Sequence, residues 1–188
     1  MDMVSVDENR ELYCPFGVTD TPQFAPGYIK DPLKDGNDCG YLCLTDWCRA
    51  TASSCAPGRD ALYANDSSAL SFWQPAADDP IPTLTCCLVY PYLCGAIRVF
   101  WREVGLDYKV GVRPGPVRYI VEGCSDKEQK DWFLLLDRSQ SDTDYNIDYR
   151  VFEERECLYV RLKIVGKPEG LDIGLIDFTV FGRLDESK

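Results

Sequence analysis

The ten cysteines of this 188-residue chain are unevenly distributed, and their distribution limits the folds open to it. Five of them lie in the first 55 residues, among many prolines and glycines: Cys14, Cys39, Cys43, Cys48 and Cys55. From Tyr63 onward, cysteines become sparser and apolar and polar residues alternate. This pattern predicts a loop-rich, cross-linked N-terminal region followed by a β-rich body.

Cysteines in this number are typical of an oxidising compartment, because a reducing cytosol would leave the thiols exposed to exchange and oxidation. We therefore expect a protein that is secreted or lies on the extracellular face of the plasma membrane, with most cysteines in disulfides. A four-thiolate metal site is the alternative. The spacing of Cys39, Cys43 and Cys48 lacks the paired knuckles of a zinc module, and the absence of histidine excludes a mixed Cys/His site.

Two pairs of cysteines carry more specific expectations. Cys86 and Cys87 are adjacent in a predicted strand, so their side chains face opposite sides and need different partners. We expect Cys87, on the outer side, to link the N-terminal region to the body. Cys124 and Cys157 lie in or beside strands of the body and are candidates to pair with each other.

Charge and composition exclude several function classes. The net charge of −11 argues against nucleic acid and anionic membrane as partners, since both require clustered Lys and Arg. No apolar run is long enough to span a bilayer, so we expect no membrane insertion. Without histidine, a Ser-His-Asp or Cys-His arrangement is impossible and the usual neutral-pH base is missing. We therefore predict that the chain is not an enzyme.

Alternating segments separated by Pro, Gly and Asp predict a series of strands. No segment has a convincing helical period, and no β–α alternation is seen. Many strands joined by turns favour an antiparallel β-sandwich or barrel. The predicted strands lie at residues 84–89, 96–101, 117–122, 132–136, 160–164 and 176–181.

Five motifs, in order, resemble those of the galactose-binding-like or discoidin (coagulation-factor C-type) domains. Residues 64–75, ANDSSALSFWQP, resemble the family's A-x-D-G-D-x-x-T-x-W stretch. The other four are LTCCL with IRVFW, YIVEGCSD followed by Trp132, YVRL, and DFTVFG, which ends at Gly182. The resemblance covers about Tyr63 to Gly182 and implies a jelly-roll-like β-sandwich. We therefore expect a cysteine-rich region over residues 1–60 packed on the body, a sandwich over 61–183 and a tail over 184–188.

The resemblance also implies a structural cation, most simply Ca²⁺, in the loop between Leu62 and Phe72. Carried over by position, its ligands would be Asp66, Ser68, Ser71 and Asp177, which offer the oxygen atoms that Ca²⁺ prefers. Ser68 replaces a family acid, which weakens the site, and a hydrogen bond from Ser68 or Ser71 to Asp66 is the alternative way to close the loop. Asn65 opens an N-glycosylation sequon in this loop, where a bulky glycan would interfere.

Domains that resemble this chain mostly bind sugars, lipid head groups or proteins through loops at one end of the sandwich. Our first hypothesis is a carbohydrate-recognition module binding glycans on cell-surface or matrix molecules. The long loop from Glu103 to Pro116 would contribute acceptors, a stacking ring and donors: Asp107, Tyr108, Lys109 and Arg113. Trp47, between two cysteines, is a further exposed-aromatic candidate. The second hypothesis is a protein-interaction ectodomain of an adhesion or receptor complex, which predicts a flat apolar patch instead of a shallow cleft beside a ring.

Overall fold

The structure, a computed structural model, describes residues 41–185 in full and the backbone of residues 5–6 and 12–13. The chain divides into two compact units, Met1–Cys39 and Gly40–Lys188. In the first unit, the short strands β1 (Ser5–Val6) and β2 (Leu12–Tyr13) pair antiparallel. The β-rich body lies in the second unit.

The regular structure in the described part of the second unit is nearly all β-strand, and all of its strand pairings are antiparallel. The predicted all-β sandwich is therefore confirmed. No helix among the described residues is long and apolar enough to cross a membrane. The strands are β3 (Leu42–Cys43), β4 (Arg49–Ala52), β5 (Thr83–Val104), β6 (Arg118–Cys124), β7 (Phe133–Asp137), β8 (Ile147–Gly166) and β9 (Asp172–Arg183), and a 3₁₀-helix spans Ala61–Ala64.

The two longest strands, β5 and β8, pair with each other along nearly their whole length and belong to both layers of the sandwich. The first part of β5 also pairs with β4, and the second part pairs with β9. Register shifts between Cys87 and Tyr92, and between Cys94 and Ala96, interrupt the β5–β8 ladder. Such bulges bend a strand, which lets one strand pass from the first layer to the second.

The core lies between these layers and follows the period-two pattern of the sequence. Leu84, Cys86 and Leu88 are all buried, as their alternation predicts, and Cys87 points to the other side. Burial of each large apolar side chain stabilises the fold by roughly 1.5–3 kcal/mol. The largest fully buried residues include Trp73, Tyr119, Phe178, Leu84, Ile97, Leu162, Leu171 and Leu175.

Three tryptophans, Trp73, Trp101 and Trp132, lie in or beside the family-like motifs, and two of them are core residues. Trp73 is completely buried and its indole N–H donates to the Ser54 carbonyl at 3.0 Å, while Trp101 packs edge-on against Tyr119 at 5.5 Å between ring centroids. Trp132 is only half-buried, and the Arg161 guanidinium lies over its ring at 3.8 Å. Its position after the YIVEGCSD motif predicts that Trp132 lies beside a strand, but it does not predict how deeply the side chain is buried.

The boundary expected at residue 60 lies instead between Cys39 and Gly40. Residues 40–60 belong to the sandwich unit because β3 pairs with β9 and β4 pairs with β5. Short two- to four-residue strands carry too little alternation to be recognised in a sequence. The expected packing of the cysteine-rich region on the body lies outside the described residues.

All eight cysteines within the fully described segment are free thiols, but four of them meet in two buried pairs. The Cys86 thiol contacts Cys48, and the Cys94 thiol contacts Cys157. These contacts, together with burial, raise the pKa of the Cys86 and Cys94 thiols. The partner that we expected for Cys87 lies in the N-terminal region, outside the described residues.

The pairing of Cys124 with Cys157 is not the one that the structure favours. Cys124 ends β6 opposite Tyr159, and its thiol donates to the Asp126 carbonyl at 3.4 Å. Cys157 lies against Cys94 across the β5–β8 ladder instead. Sequence position alone gives no information on which of several strands a cysteine faces.

We expect protein folded under oxidising conditions to contain Cys48–Cys86 and Cys94–Cys157 bridges, because each pair is already in contact. Each bridge would stabilise the fold by roughly 2–4 kcal/mol, so reduction should lower the melting temperature. Peptide mapping by mass spectrometry without reduction measures the pairing. Cys124→Ser is the matched control and should leave both bridges intact; a Cys124–Cys157 bridge would contradict the assignment.

Candidate functional site

The predicted recognition loop runs from Glu103 to Pro116; in the structure, residues 105–117 connect the end of β5 to the start of β6. The Asp107 carbonyl accepts a hydrogen bond from the Val112 N–H at 2.9 Å, and its carboxylate accepts one from the Lys109 N–H at 2.9 Å. Gly105 and Gly111 adopt φ angles of 87° and 89°, which side chains rarely tolerate. Asp107 therefore holds the loop in shape with one carboxylate oxygen engaged.

Tyr108 and Arg113 come together on the surface of this loop. The Arg113 guanidinium lies 5.3 Å from the centroid of the Tyr108 ring, and 54% of Tyr108 is exposed to solvent. An exposed ring beside a guanidinium donor is the arrangement that the carbohydrate hypothesis predicts for this loop. Lys109 and Asp107 flank the ring on the same turn and are also exposed.

Trp47 lies elsewhere, in the turn between β3 and β4. The residue is 73% exposed. Its backbone N–H donates to the Asn65 carbonyl at 2.9 Å. In the part of the chain that the structure describes, no hydrogen bond or ring contact joins Trp47 to residues 105–117. The structure thus groups Asp107, Tyr108, Lys109 and Arg113, and leaves Trp47 apart.

The predicted cation loop is closed by its own hydrogen bonds. The Ser71 hydroxyl donates to one Asp66 carboxylate oxygen at 2.6 Å, and the Ser68 N–H donates to the other at 3.0 Å. This is the alternative closure that the serine substitutions suggested. Asp177, the fourth predicted ligand, is instead paired with Arg98, whose Nη2 lies 2.8 Å from its carboxylate.

This donor set fits a calcium ion poorly. A bound Ca²⁺ requires six to eight oxygens, and the two predicted carboxylates already accept hydrogen bonds from Ser68, Ser71 and Arg98. Within residues 41–185, no three His, Cys, Asp or Glu side chains form a group that could hold a metal ion. The calcium site remains a prediction that requires Asp66 and Asp177 to exchange these partners for the ion.

Asn65, the sequon asparagine, is a buried structural residue. Its side-chain amide donates to the carbonyls of Thr45 and Cys48 at 3.0 and 2.8 Å, and it is only 3% exposed. A glycan would have to attach to this same nitrogen, so the folded chain presents no acceptor there. Its carboxamide oxygen has no hydrogen-bond partner.

A surface groove that the sequence analysis missed lies beside the cation loop. It has a volume of about 410 Å³ and runs over the outward side of β9 and β5. Its lining includes Arg98, Phe100, Asp177 and Thr179, which alternate with the core residues of the same two strands. Alternation could place these side chains on the outward face, but only the β5–β9 pairing brings Arg98 next to Asp177.

The chain is similar in structure to several solved carbohydrate-binding modules. It matches chitosan-binding module 1 of a chitosanase/glucanase from Paenibacillus sp. IK-5 over 75% of this chain and 99% of that one, with a TM-score of 0.63 and 21% identity. It matches the family 32 carbohydrate-binding module of NanJ from Clostridium perfringens, solved with galactose, over 75% and 98%, with a TM-score of 0.59 and 11% identity.

A third match is chitosan-binding module 2 of the same Paenibacillus enzyme, solved with chitotriose: 74% of this chain and 99% of that one, with a TM-score of 0.61 and 17% identity. No family model matches the sequence, and no curated protein matches it. At these identities the likeness concerns the fold. The chain has the galactose-binding-like, or discoidin, fold, as its five motifs implied.

Replacing Trp47 separates a structural role from a binding role. Trp47 has a φ of 56°, a left-handed conformation that costs a non-glycine residue roughly 1–2 kcal/mol. We expect Trp47→Gly to raise the free energy of unfolding by up to about 1 kcal/mol, since glycine adopts this φ freely but gains more entropy on unfolding. Thermal melting measures it, with Trp47→Phe as the aromatic control. A marked loss of stability would show that the ring packs against the fold.

Asp66 tests how the loop at residues 65–71 is closed. We expect Asp66→Ala to lower the stability by about 1–2 kcal/mol, because it leaves the Ser68 N–H and the Ser71 hydroxyl without an acceptor. The decrease in melting temperature should be the same with and without millimolar calcium, and Asp78→Ala, at an exposed acid, should have little effect. If calcium raises the melting temperature of the native chain but not of Asp66→Ala, the loop binds the ion.

Proposed function

We propose that this chain is a non-catalytic, extracellular carbohydrate-recognition module that binds glycans through the loop at residues 105–117. The observation that carries the proposal is the exposed Tyr108 ring with the Arg113 guanidinium beside it. Aromatic faces and arginine together suit a sugar, because the apolar face of a pyranose stacks on a ring while its hydroxyls accept and donate hydrogen bonds.

The neighbouring polar groups supply the remaining chemistry. Lys109 and Arg113 provide donors, and the second Asp107 carboxylate oxygen provides an acceptor. The similarity of the fold to modules solved with galactose and with chitotriose supports a glycan as the ligand class. Those modules share only 11% and 17% identity with this chain, so they support glycans as the ligand class and not a particular sugar.

The extracellular location rests on a separate argument. Ten cysteines in 188 residues are typical of an oxidising compartment, and the contact within each of the two buried thiol pairs supports the proposal that bridges form there. Non-enzymatic function rests on the missing histidine and on the similarity to binding modules.

A protein-interaction ectodomain is the second candidate, and one observation favours it. Three apolar side chains alternate along the outer side of β8 and are each at least half exposed: Ile147, Tyr149 and Val151. A row of this kind is an apolar strip on a sheet face, which is a common feature of protein contacts. Two results together would favour the protein-interaction hypothesis. The chain would bind no oligosaccharide, and it would capture a purified surface protein through this row.

We expect the intact chain to bind an oligosaccharide array and Tyr108→Ala to lose at least about tenfold in affinity, which corresponds to about 1.4 kcal/mol. Titration calorimetry with an oligosaccharide identified on the array measures the change. Tyr90→Ala, which removes a tyrosine that is 65% exposed at the β5 bulge, is the matched control and should bind normally. Unchanged affinity in Tyr108→Ala would exclude the loop as the glycan site.

A further inference from the structure

The groove on the outward side of β5 and β9 is a second candidate binding site. None of its lining residues belongs to the recognition loop at residues 105–117. It is bounded by the turn after β3, which carries Asp46, and by the loop that carries Asn65 and Ser68. Its volume of about 410 Å³ is within the range of small-molecule sites.

The groove offers hydrogen-bond acceptors that the chain itself does not use. Asp177 accepts from Arg98 Nη2, Arg98 Nε and the Thr179 hydroxyl at 2.8, 3.1 and 2.6 Å, and all three bonds go to Oδ2. Asp46 accepts from the Ser67 hydroxyl through Oδ1. The second carboxylate oxygen of each residue therefore has no donor among the described residues.

Asn65 holds a buried acceptor at the wall of the groove. The residue lines the groove and is 3% exposed, and its Oδ1 atom is buried with no partner. Leaving a buried polar atom unpaired costs about 1–3 kcal/mol, which native structures usually avoid. A donor that comes from outside the chain, such as a water held at the groove wall, would satisfy this oxygen.

The electrostatic character of the groove is negative. Asp46 and Asp177 outnumber the single guanidinium of Arg98 among the charged lining residues. Burial raises the pKa of the Cys43 thiol, which also lines the groove; the charges of Asp46 and Asp177 raise this pKa further, and the charge of Arg98 lowers it in part. The net charge of −11 adds a long-range attraction for cations.

An apolar floor completes the site. Phe100 and Ile147 face each other across the β5–β8 ladder, and Ile147 is 52% exposed. A ring with an apolar face can lie on this floor while its substituents reach the acceptors. Acceptors in excess, negative charge and an apolar floor together select a ring-shaped ligand that carries a positive charge and several donors.

We propose that the groove binds amino-sugar units with a free ammonium group, the ammonium being held by Asp46 and Asp177 and the sugar ring lying on Phe100 and Ile147. That the ammonium is carried by a sugar rests on the proposed carbohydrate function. The need for a positive charge rests on the groove alone. The site is separate from the Tyr108 loop and adds charge selectivity to glycan recognition.

Three β-1,4-linked trimers of nearly the same size test the charge requirement: the glucosamine trimer, its fully N-acetylated form and the glucose trimer. We expect the glucosamine trimer to bind at least about tenfold more tightly than either neutral trimer, by analogy with other charge-assisted hydrogen bonds. The preference should weaken as salt is raised. Equal affinity for all three trimers, or no binding of the glucosamine trimer, would overturn the proposal.

Variants locate the binding. Ala69→Trp places a large ring on the groove lining and should abolish the preference for the glucosamine trimer, while Leu70→Trp, at the adjacent 94% exposed position outside the lining, should retain it. Arg98→Gln removes the competing cation and should strengthen binding severalfold. Weaker binding in Arg98→Gln, or an unchanged preference in Ala69→Trp, would contradict the assignment.

Two further outcomes separate this site from the others. Tyr108→Ala should leave the charge preference at the groove intact even where it abolishes binding of neutral glycans, so failure of the loop and failure of the groove are distinguishable. Amide chemical shifts around Asp46, Ser68 and Asp177 should move with the glucosamine trimer. If these shifts move with calcium alone and not with the trimer, the groove holds a metal ion and the proposal is wrong.

Discussion

The antiparallel ladder between β5 and β8 is the constraint on which the rest of the structure depends. Both strands pass through both layers, and the bulges after Cys87 and Cys94 allow them to bend. Val89, at the first bulge, adopts a φ of 70°, a strained value for a β-branched residue that the surrounding ladder must stabilise. β4 and β9 pair with β5, and β6 pairs with β8, so each of these three strands is positioned by a strand of the ladder.

A small polar network fixes the chain that enters the sandwich. The Thr45 hydroxyl donates to the Phe178 carbonyl and accepts from the Val180 N–H, both at 2.9 Å, and so takes the place of a missing strand partner beside β9. Asn65 then binds the carbonyls of Thr45 and Cys48. This network buries the sequon asparagine, holds Trp47 outward and forms one wall of the groove. It therefore links local turn chemistry to both surfaces that could bind a ligand.

The two candidate sites differ in how they arise. The Tyr108 loop is local: Asp107, Lys109 and Arg113 lie within seven residues, and Asp107 itself shapes the turn. The groove is assembled from distant segments, since Arg98 meets Asp177 only because β5 and β9 pair. A module with both sites would bind a sugar ring at the Tyr108 loop and a positively charged sugar at the groove, which gives more selectivity than either contact alone.

The sequence by itself determined the fold class, the buried face of the strand segments that it predicted and the position of the long loop after β5, because alternation and turn residues act over a few neighbouring positions. Leu84, Cys86, Trp73 and Trp101 are buried as their patterns predict. Only the tertiary structure decided that residues 40–60 join the sandwich, that Cys157 meets Cys94, and that Asp177 pairs with Arg98. Each of these depends on which strands become neighbours, and that choice is made by packing among segments far apart in the chain.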